Sequence, residues 1–302
     1  TEVDDALSVQ DLPDGNKRIG IHIAAPALAI APGSDIEKQI FQRQSTAYYP
    51  GGKITMLPEN WISAFSLDAG GERLAVSIYF DVNGQLEVSN PQTRVERVNI
   101  SENLRIGAIE PHFNAENGLD AEGEAMFAHH GELVWFYRLA IALQKQRGKY
   151  IEDATPIYDY GIEFADDGKV RISTRERGSP IDTLVSEMMI LANSTWAEML
   201  HNADLPGLFR VQPAGKVRMS TQSEPHIGMG VAHYGWFTSP LRRNADYINQ
   251  KQLASLIGIG EPRFENGDTM LFAALRDFDT TYSAYNDFQR ELEGYWSLVY
   301  LQ

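Results

Sequence analysis

Arg18-Ile-Gly-Ile-His-Ile-Ala24, followed by Ser34-Asp35-Ile36-Glu37, sets the character of the chain. Ile19, Ile21 and Ile23 alternate with Gly20 and His22, the period-two pattern of a strand with one buried face. Ser34 and Glu37 have the spacing of a capping box, the serine taking one end amide and the glutamate reaching back to another, ahead of the apolar stripe Ile36, Ile40 and Phe41. A strand followed directly by a capped helix predicts a chain of mixed type. The helix is expected to stop near Tyr48-Tyr49-Pro50-Gly51, and Pro58 stands where a first-turn proline belongs, ahead of Trp61, Ile62 and Phe65.

Further along, Leu74 to Val88 reads as a hairpin turning at Asn83-Gly84, a dipeptide suited to a type I′ turn, with its second strand running on toward Ile100. Glu132 to Arg147 lacks Gly and Pro and reads as a helix closed by Gly148. A second hairpin spans Tyr158 to Ser173 and turns at Asp167-Gly168; helices follow at Ile181 to His201 and Asp268 to Tyr300. With no internal repeat and no low-complexity linker, the fold class is α+β: residues 1–302 form a single mixed domain of antiparallel-rich sheets wrapped by helices.

Composition narrows the chemistry. The 302 residues hold 26 Lys and Arg against 41 Asp and Glu, a formal charge of −15, and no cysteine. Disulfides, thiolate metal sites and cysteine nucleophiles are excluded, so a metal would sit on oxygen or imidazole, and a cytoplasmic location fits best. The most apolar run, Ile19 to Pro32, is broken by His22 and Pro26 and falls short of the roughly 18 residues of a membrane span. The opening Thr-Glu-Val-Asp-Asp, with neither an initiator Met nor a leader, leads us to expect a piece of something longer. So acidic a balance argues against broad, sequence-independent binding to nucleic acid, while leaving room for a local basic groove.

Three stretches carry more chemistry than a core requires. Glu2-Val-Asp4-Asp5 brings three carboxylates together, which repel unless a hard divalent cation or a basic partner compensates them; on local composition alone the solvated acidic terminus is the favoured reading. His226-Ile-Gly-Met-Gly-Val-Ala-His233 leads into Thr238-Ser239-Pro240-Leu-Arg242-Arg243, where a capped helix start with two arginines in its first turn would clamp a phosphate. Those arginines would otherwise pair with the abundant carboxylates. Tyr48-Tyr49-Pro50-Gly51-Gly52 offers aromatic faces to unpaired bases, or to the core.

Taken together, these segments resemble the catalytic domain of the RNB family, the ribonuclease II and ribonuclease R exoribonucleases. Four stretches match in order: Glu2 to Leu7, Gly20 to Pro58, Leu184 to Asn193 and Ser220 to Asn249. The resemblance implies processive 3′-to-5′ hydrolysis of single-stranded RNA to nucleoside 5′-monophosphates, with magnesium, or manganese in its place, as cofactor. It implies that Asp5 binds metal, that Asp4 orients the terminal nucleotide or water, and that Glu2 completes the metal set of Glu2, Asp4 and Asp5 where the family carries an Asp. The family's first motif Asp would precede Thr1. Arg242 matches the catalytic arginine, with Ser239 and Arg243 in the same substrate-binding segment; Tyr48 matches the aromatic that stacks on RNA, and its partner falls near Tyr158. Ala25 stands where an Asp is frequent, and Ile106 and Ser186 stand where a Tyr and a Glu favour ribose, leaving Glu187 to take the second role. Arg290 and Glu291 fall where the family's last helix carries a Glu. The expected molecule is a monomer whose partner is the 3′ end of single-stranded RNA, with single-stranded DNA a weaker substrate, no membrane, and the family's flanking OB-type domains outside the chain. The rivals are a non-cutting RNA 3′-end binding module and a sugar-nonspecific single-strand exonuclease.

Overall fold

The computed structural model describes residues 2–114, 116, 118–119, 125–152, 155, 157–165 and 169–302. In chain order these form β1 (Asp5–Asp11), β2 (Lys17–Ala24), α1 (Pro26–Ala29), α2 (Asp35–Arg43), β3 (Ala47–Tyr49), β4 (Gly52–Ile54), α3 (Glu59–Phe65), β5 (Gly71–Val82) and β6 (Val88–Ile100). There follow α4 (Ile106–Ile109), α5 (His130–Gln146), β7 (Ile157–Phe164), β8 (Val170–Arg177), α6 (Pro180–Asn202), β9 (Phe209–Val211), β10 (Arg218–Ser220), α7 (Asn244–Leu256) and α8 (Thr269–Tyr300). The expected α+β class is what the chain adopts: an antiparallel sheet in the order β1-β2-β5-β6, three two-stranded ribbons, and helices around them.

One core fills the space between that sheet and helices α5 and α6, with Ile19, Ile21, Ile23 and Ile78 against Leu139, Leu184 and Trp196. A second core joins α1, α2 and α3 to α7 and α8 through Ile30, Ile40, Leu57, Tyr247, Ile248 and Leu271. Glu37 ties this second core together. Ser34 Oγ accepts from Glu37 N at 3.3 Å as expected, but the Glu37 carboxylate takes the Gly33 amide at 2.6 Å instead of that of Ser34. The same buried carboxylate accepts from Tyr247 and Arg263, so a helix cap doubles as a tertiary anchor.

Several boundaries differ from the sequence reading. The acidic stretch is not a loop ahead of the first strand: Asp5 opens edge strand β1, which pairs with β2 from Asp5↔Ile23 to Asp11↔Lys17. Helix α2 ends at Arg43, because Gln44 takes a positive φ of 61°, and Tyr48 and Tyr49 lie on a strand. Strands β5 and β6 are joined by a wider loop than a type I′ turn: Leu86 takes the positive φ of 62°, and Asn83 Oδ1 accepts from the amides of Gln85 and Glu87. The turn expected at Asp167-Gly168 lies outside the described residues.

Strand β2 is buried on both faces rather than one, and His22 explains how. Its Nε2 and Nδ1 each lie 2.8 Å from a hydroxyl, Ser8 Oγ and Ser77 Oγ, beneath Tyr79. Burial pushes its pKa down from 6.5 to about 4. As pH falls from about 6.5 to about 4 the unfolded chain takes up a proton that the folded chain refuses, so stability is lost across that window, by about 3 kcal/mol in total. A His22→Asn variant is expected to be weaker at about pH 7.5 but to lose less stability than the parent on going to about pH 4.5. Urea midpoints at the two pH values check this; equal acid losses in both proteins would contradict it.

Candidate active site

The N-terminal acidic segment is held by backbone on both sides. Val3 N donates to Ser66 Oγ at 2.9 Å, Leu67 N donates to Val3 O, and Ala24 N donates to Asp4 O. These bonds fix an extended run in which Glu2 and Asp4, two positions apart, share a face. Opposite it lies Ser239 to Asn244. Leu241 N donates to Asp4 Oδ1 at 2.9 Å, and Arg242 Nε stands 3.4 Å from Asp4 Oδ2. Arg242 Nη2 donates to Ser239 Oγ at 2.9 Å, and the Arg242 carbonyl accepts from Thr46 N and Ser45 Oγ. The end of α2 thus braces the arginine segment against the acids.

Tyr48 and Lys53, opposite each other in the β3–β4 ribbon, both donate to Glu2 Oε2, at 3.3 and 2.8 Å. Glu2 Oε1 is buried without any hydrogen-bond partner. Burial raises the Asp4 pKa to about 7, with Arg242 and the Leu241 amide pulling the other way and Asp5 and Asp246 adding to the rise. Burial raises Asp5 too, against Arg242. Tyr48 is pushed up to about 12 by burial and by Glu2. The site is therefore an acidic cluster in which Arg242 faces Asp4 and Asp5 and Lys53 faces Glu2.

An orphaned carboxylate oxygen beside two acids that burial disfavours as anions is the donor chemistry of a hard divalent cation, so Glu2, Asp4 and Asp5 fit magnesium in kind. They do not close a coordination sphere. Among the described residues no three His, Asp or Glu side chains converge closely enough to hold an ion.

The other residues singled out from sequence separate into those that join this cluster and those that do not. Ser239 joins it, buried, with its amide donating to Asp246 Oδ1 at 2.8 Å. Arg242 and Arg243 are not in the first turn of a helix: they lie in a turn before α7, which starts at Asn244, because the Arg242 and Arg243 amides both bond back to Ser239 O. Arg243 is buried on Asp246, with Nη2 donating to Oδ1 at 2.9 Å and Nε 2.6 Å from Oδ2, so its charge is matched within the protein. Glu187 is committed to Arg147, whose Nη2 donates to both carboxylate oxygens at 2.6 and 2.5 Å. That pair lines a cavity of about 390 Å³ between α5, α6 and residues 230–233, to which neither Asp4 nor Arg242 contributes. Ile106, in α4, is exposed. Tyr158 projects from β7, 52% exposed, opposite Glu176, and makes no contact with the cluster. The aromatic of that hairpin which reaches the β3–β4 ribbon is Phe164: a Cβ on Gly51 would fall 2.9 Å from its ring, and it packs edge-on against Trp296. Arg290 and Glu291 lie on α8.

Lys53 and Phe164 were missed. Lys53 could have been found from the Tyr48-Tyr49-Pro-Gly-Gly-Lys53 run, which is itself a tight ribbon; Phe164 stands six residues beyond Tyr158 in the same strand, a register that a sequence alone does not fix.

Comparison with known proteins follows the same lines. Residues 1–219 and 214–258 match the RNB domain. Over 317 residues the chain is 26% identical to "Exoribonuclease 2" of Escherichia coli O1:K1, covering 85% of this chain and 48% of that protein. Over 223 residues it is 28% identical to "Inactive exonuclease DIS3L2" of Arabidopsis thaliana, covering 67% of this chain and 20% of that one. The chain thus spans half or less of the length of these relatives. A solved structure of Mycoplasma genitalium RNase R in complex with ribose-methylated single-stranded RNA superposes with a TM-score of 0.81 at 18% identity, over 98% of this chain and 55% of that one. No helix among the described residues is long and apolar enough to cross a membrane. The matched RNB domain, which takes in both the acidic segment and the arginine segment braced against it, makes this chain a member of the RNB family.

Proposed function

We propose that the chain is the catalytic domain of a magnesium-dependent 3′-to-5′ exoribonuclease that hydrolyses single-stranded RNA to nucleoside 5′-monophosphates in the cytoplasm, as a monomer. The observation that carries this reading is the pairing of buried Asp4 with Arg242, which Asp5 also faces electrostatically, beside Glu2 held by Tyr48 and Lys53. Arg242, with 37% of its side chain exposed and its fork oriented by Asp4 and Ser239, is placed to stabilise charge on a scissile phosphate. Asp4, held by the Leu241 amide, orients the terminal nucleotide or the attacking water. Tyr48, tethered by Glu2, stacks on a base. Glu2 Oε1 and Asp5 are the groups that would hold magnesium, which when bound supplies charge neutralisation and activation of water.

A second reading has its own support. Glu2 in place of Asp, a set of acids that does not converge, and a relative named as inactive all favour a module that binds RNA 3′ ends without cutting. With Glu187 spent on Arg147 and Ile106 away from the cluster, ribose selection is expected to be weak. The test uses 5′-labelled single-stranded RNA and matched DNA, with and without magnesium. The exoribonuclease reading expects a ladder shrinking from the 3′ end of RNA only with metal, and slower trimming of DNA. RNA that is retained on a gel but never shortened would replace it with the binding module.

A further inference from the structure

Arg210, in β9, has no acidic partner among the described residues. Its Cζ lies 4.2 Å from the centroid of Trp236, and the Cζ of Arg243 lies 4.2 Å from the same ring. Arg243 is neutralised by Asp246, whereas no carboxylate among the described residues stands within ion-pair distance of Arg210. Asp279 of α8 is felt electrostatically but lies beyond that distance. In a chain of formal charge −15, a half-buried arginine left unpaired beside a second arginine is an unsatisfied charge, and burial already lowers its pKa.

The stack is rigid. Arg210 N donates to Tyr234 O at 2.9 Å, Asn249 Nδ2 donates to Trp236 O at 2.8 Å, and Phe278 and Tyr282 of α8 pack edge-on against the indole. It also lies next to the arginine segment, since the Arg243 that shares the Trp236 ring directly follows Arg242 in the chain.

We propose that Arg210, seated on Trp236, binds a backbone phosphate of the RNA strand neighbouring the phosphate that Arg242 faces. The proposal rests on the exoribonuclease reading. A guanidinium stacked on a ring keeps its N–H edge free for the two oxygens of a phosphate, and the stack fixes its plane.

The test is filter binding of single-stranded RNA over a series of KCl concentrations, in an Asp5→Asn background so that nothing is cut. Arg210→Gln is expected to raise Kd about tenfold and to flatten the plot of log affinity against log salt by about 0.7, the counterion release of one single-strand phosphate contact. Arg210→Lys, which keeps the charge, is expected to restore the slope. A Gln variant that binds with the slope of its background overturns the proposal; if its affinity also falls equally at all salts, Arg210 merely props Trp236. If the background protein itself holds no RNA, the exoribonuclease reading fails with it, an outcome distinct from RNA bound with an unchanged slope.

Discussion

Replacing Asp5 by Asn is expected to slow 3′ trimming of single-stranded RNA by about 10³-fold, the scale on which a preorganised charge-stabilising group acts. The substitution is nearly isosteric and leaves the backbone pairing of Asp5 with Ile23 untouched. What it removes is a buried negative charge, and the sign of its effect on stability follows. Because burial raises the Asp5 pKa, the ionised carboxylate is a burden to the folded state at neutral pH. The Asn variant should therefore melt at the same temperature as the parent or higher while losing activity. Quantified ladders of 5′-labelled RNA, beside thermal melts of both proteins, test the two halves together. Activity within about threefold of the parent would remove Asp5 from the machinery, since even a single lost oxyanion donor costs more than that.

That a carboxylate is tolerated there at a cost explains how the sequence could and could not be read. The acids were legible as a cluster because like charges in four residues demand an explanation. Their strand was not, although Leu7 and Val9 alternate with Ser8 and Gln10; the acids draw the eye to a solvated terminus, and the partner strand that overrides this lies beyond a turn. The hairpins, α5, α6 and α8 follow from local signals: Gly148 and Ser179 end and begin helices where their chemistry says they should, and Asp268 caps α8 by accepting from Met270 N. What failed was set by side chains spent on unforeseen partners, distant for Glu37 and within the loop for Asn83. Glu37 looked like a local cap and is pulled one residue further by Tyr247 and Arg263, and Asn83-Gly84 looked like a two-residue turn until Asn83 spent its side chain on two amides.

The site shows the same division. Arg242 and Asp4 were both marked from their own segments, and the resemblance to a family supplied their pairing; what spacing does not contain is the 3.4 Å between residues so far apart in the chain. Arg243 and Glu187 carry the residue types of substrate contacts, yet each is paired within the protein, because a buried charge must find its opposite. Arg210 passed unnoticed as one arginine among many. It matters only once every neighbouring guanidinium of the arginine segment has been matched to its acid.

Arg242→Gln is expected to lower the saturating rate of RNA trimming by about 10³-fold, with Arg242→Lys recovering only part of it. Arg242 is the residue that most offsets the negative charge on Asp4, and its two side-chain contacts, Asp4 Oδ2 and Ser239 Oγ, fix the plane of its fork. A lysine restores the charge but not the plane, so a large gap between Lys and Arg would show that orientation, rather than charge alone, is being used. A group that acts on charge developing during the reaction should lower kcat with little change in KM, whereas one that merely captures RNA should raise KM. The neighbour sharpens the test. With Arg242 gone, Asp4 keeps only the Leu241 amide against its burial, and its carboxyl should protonate at higher pH than in the parent. Asp4→Asn combined with Arg242→Gln should then cost far less than the two single losses together, because each single change strands the other's charge. Strict additivity in that double-mutant cycle would mean that the two residues act independently, and the pairing at the centre of the site would lose its functional meaning.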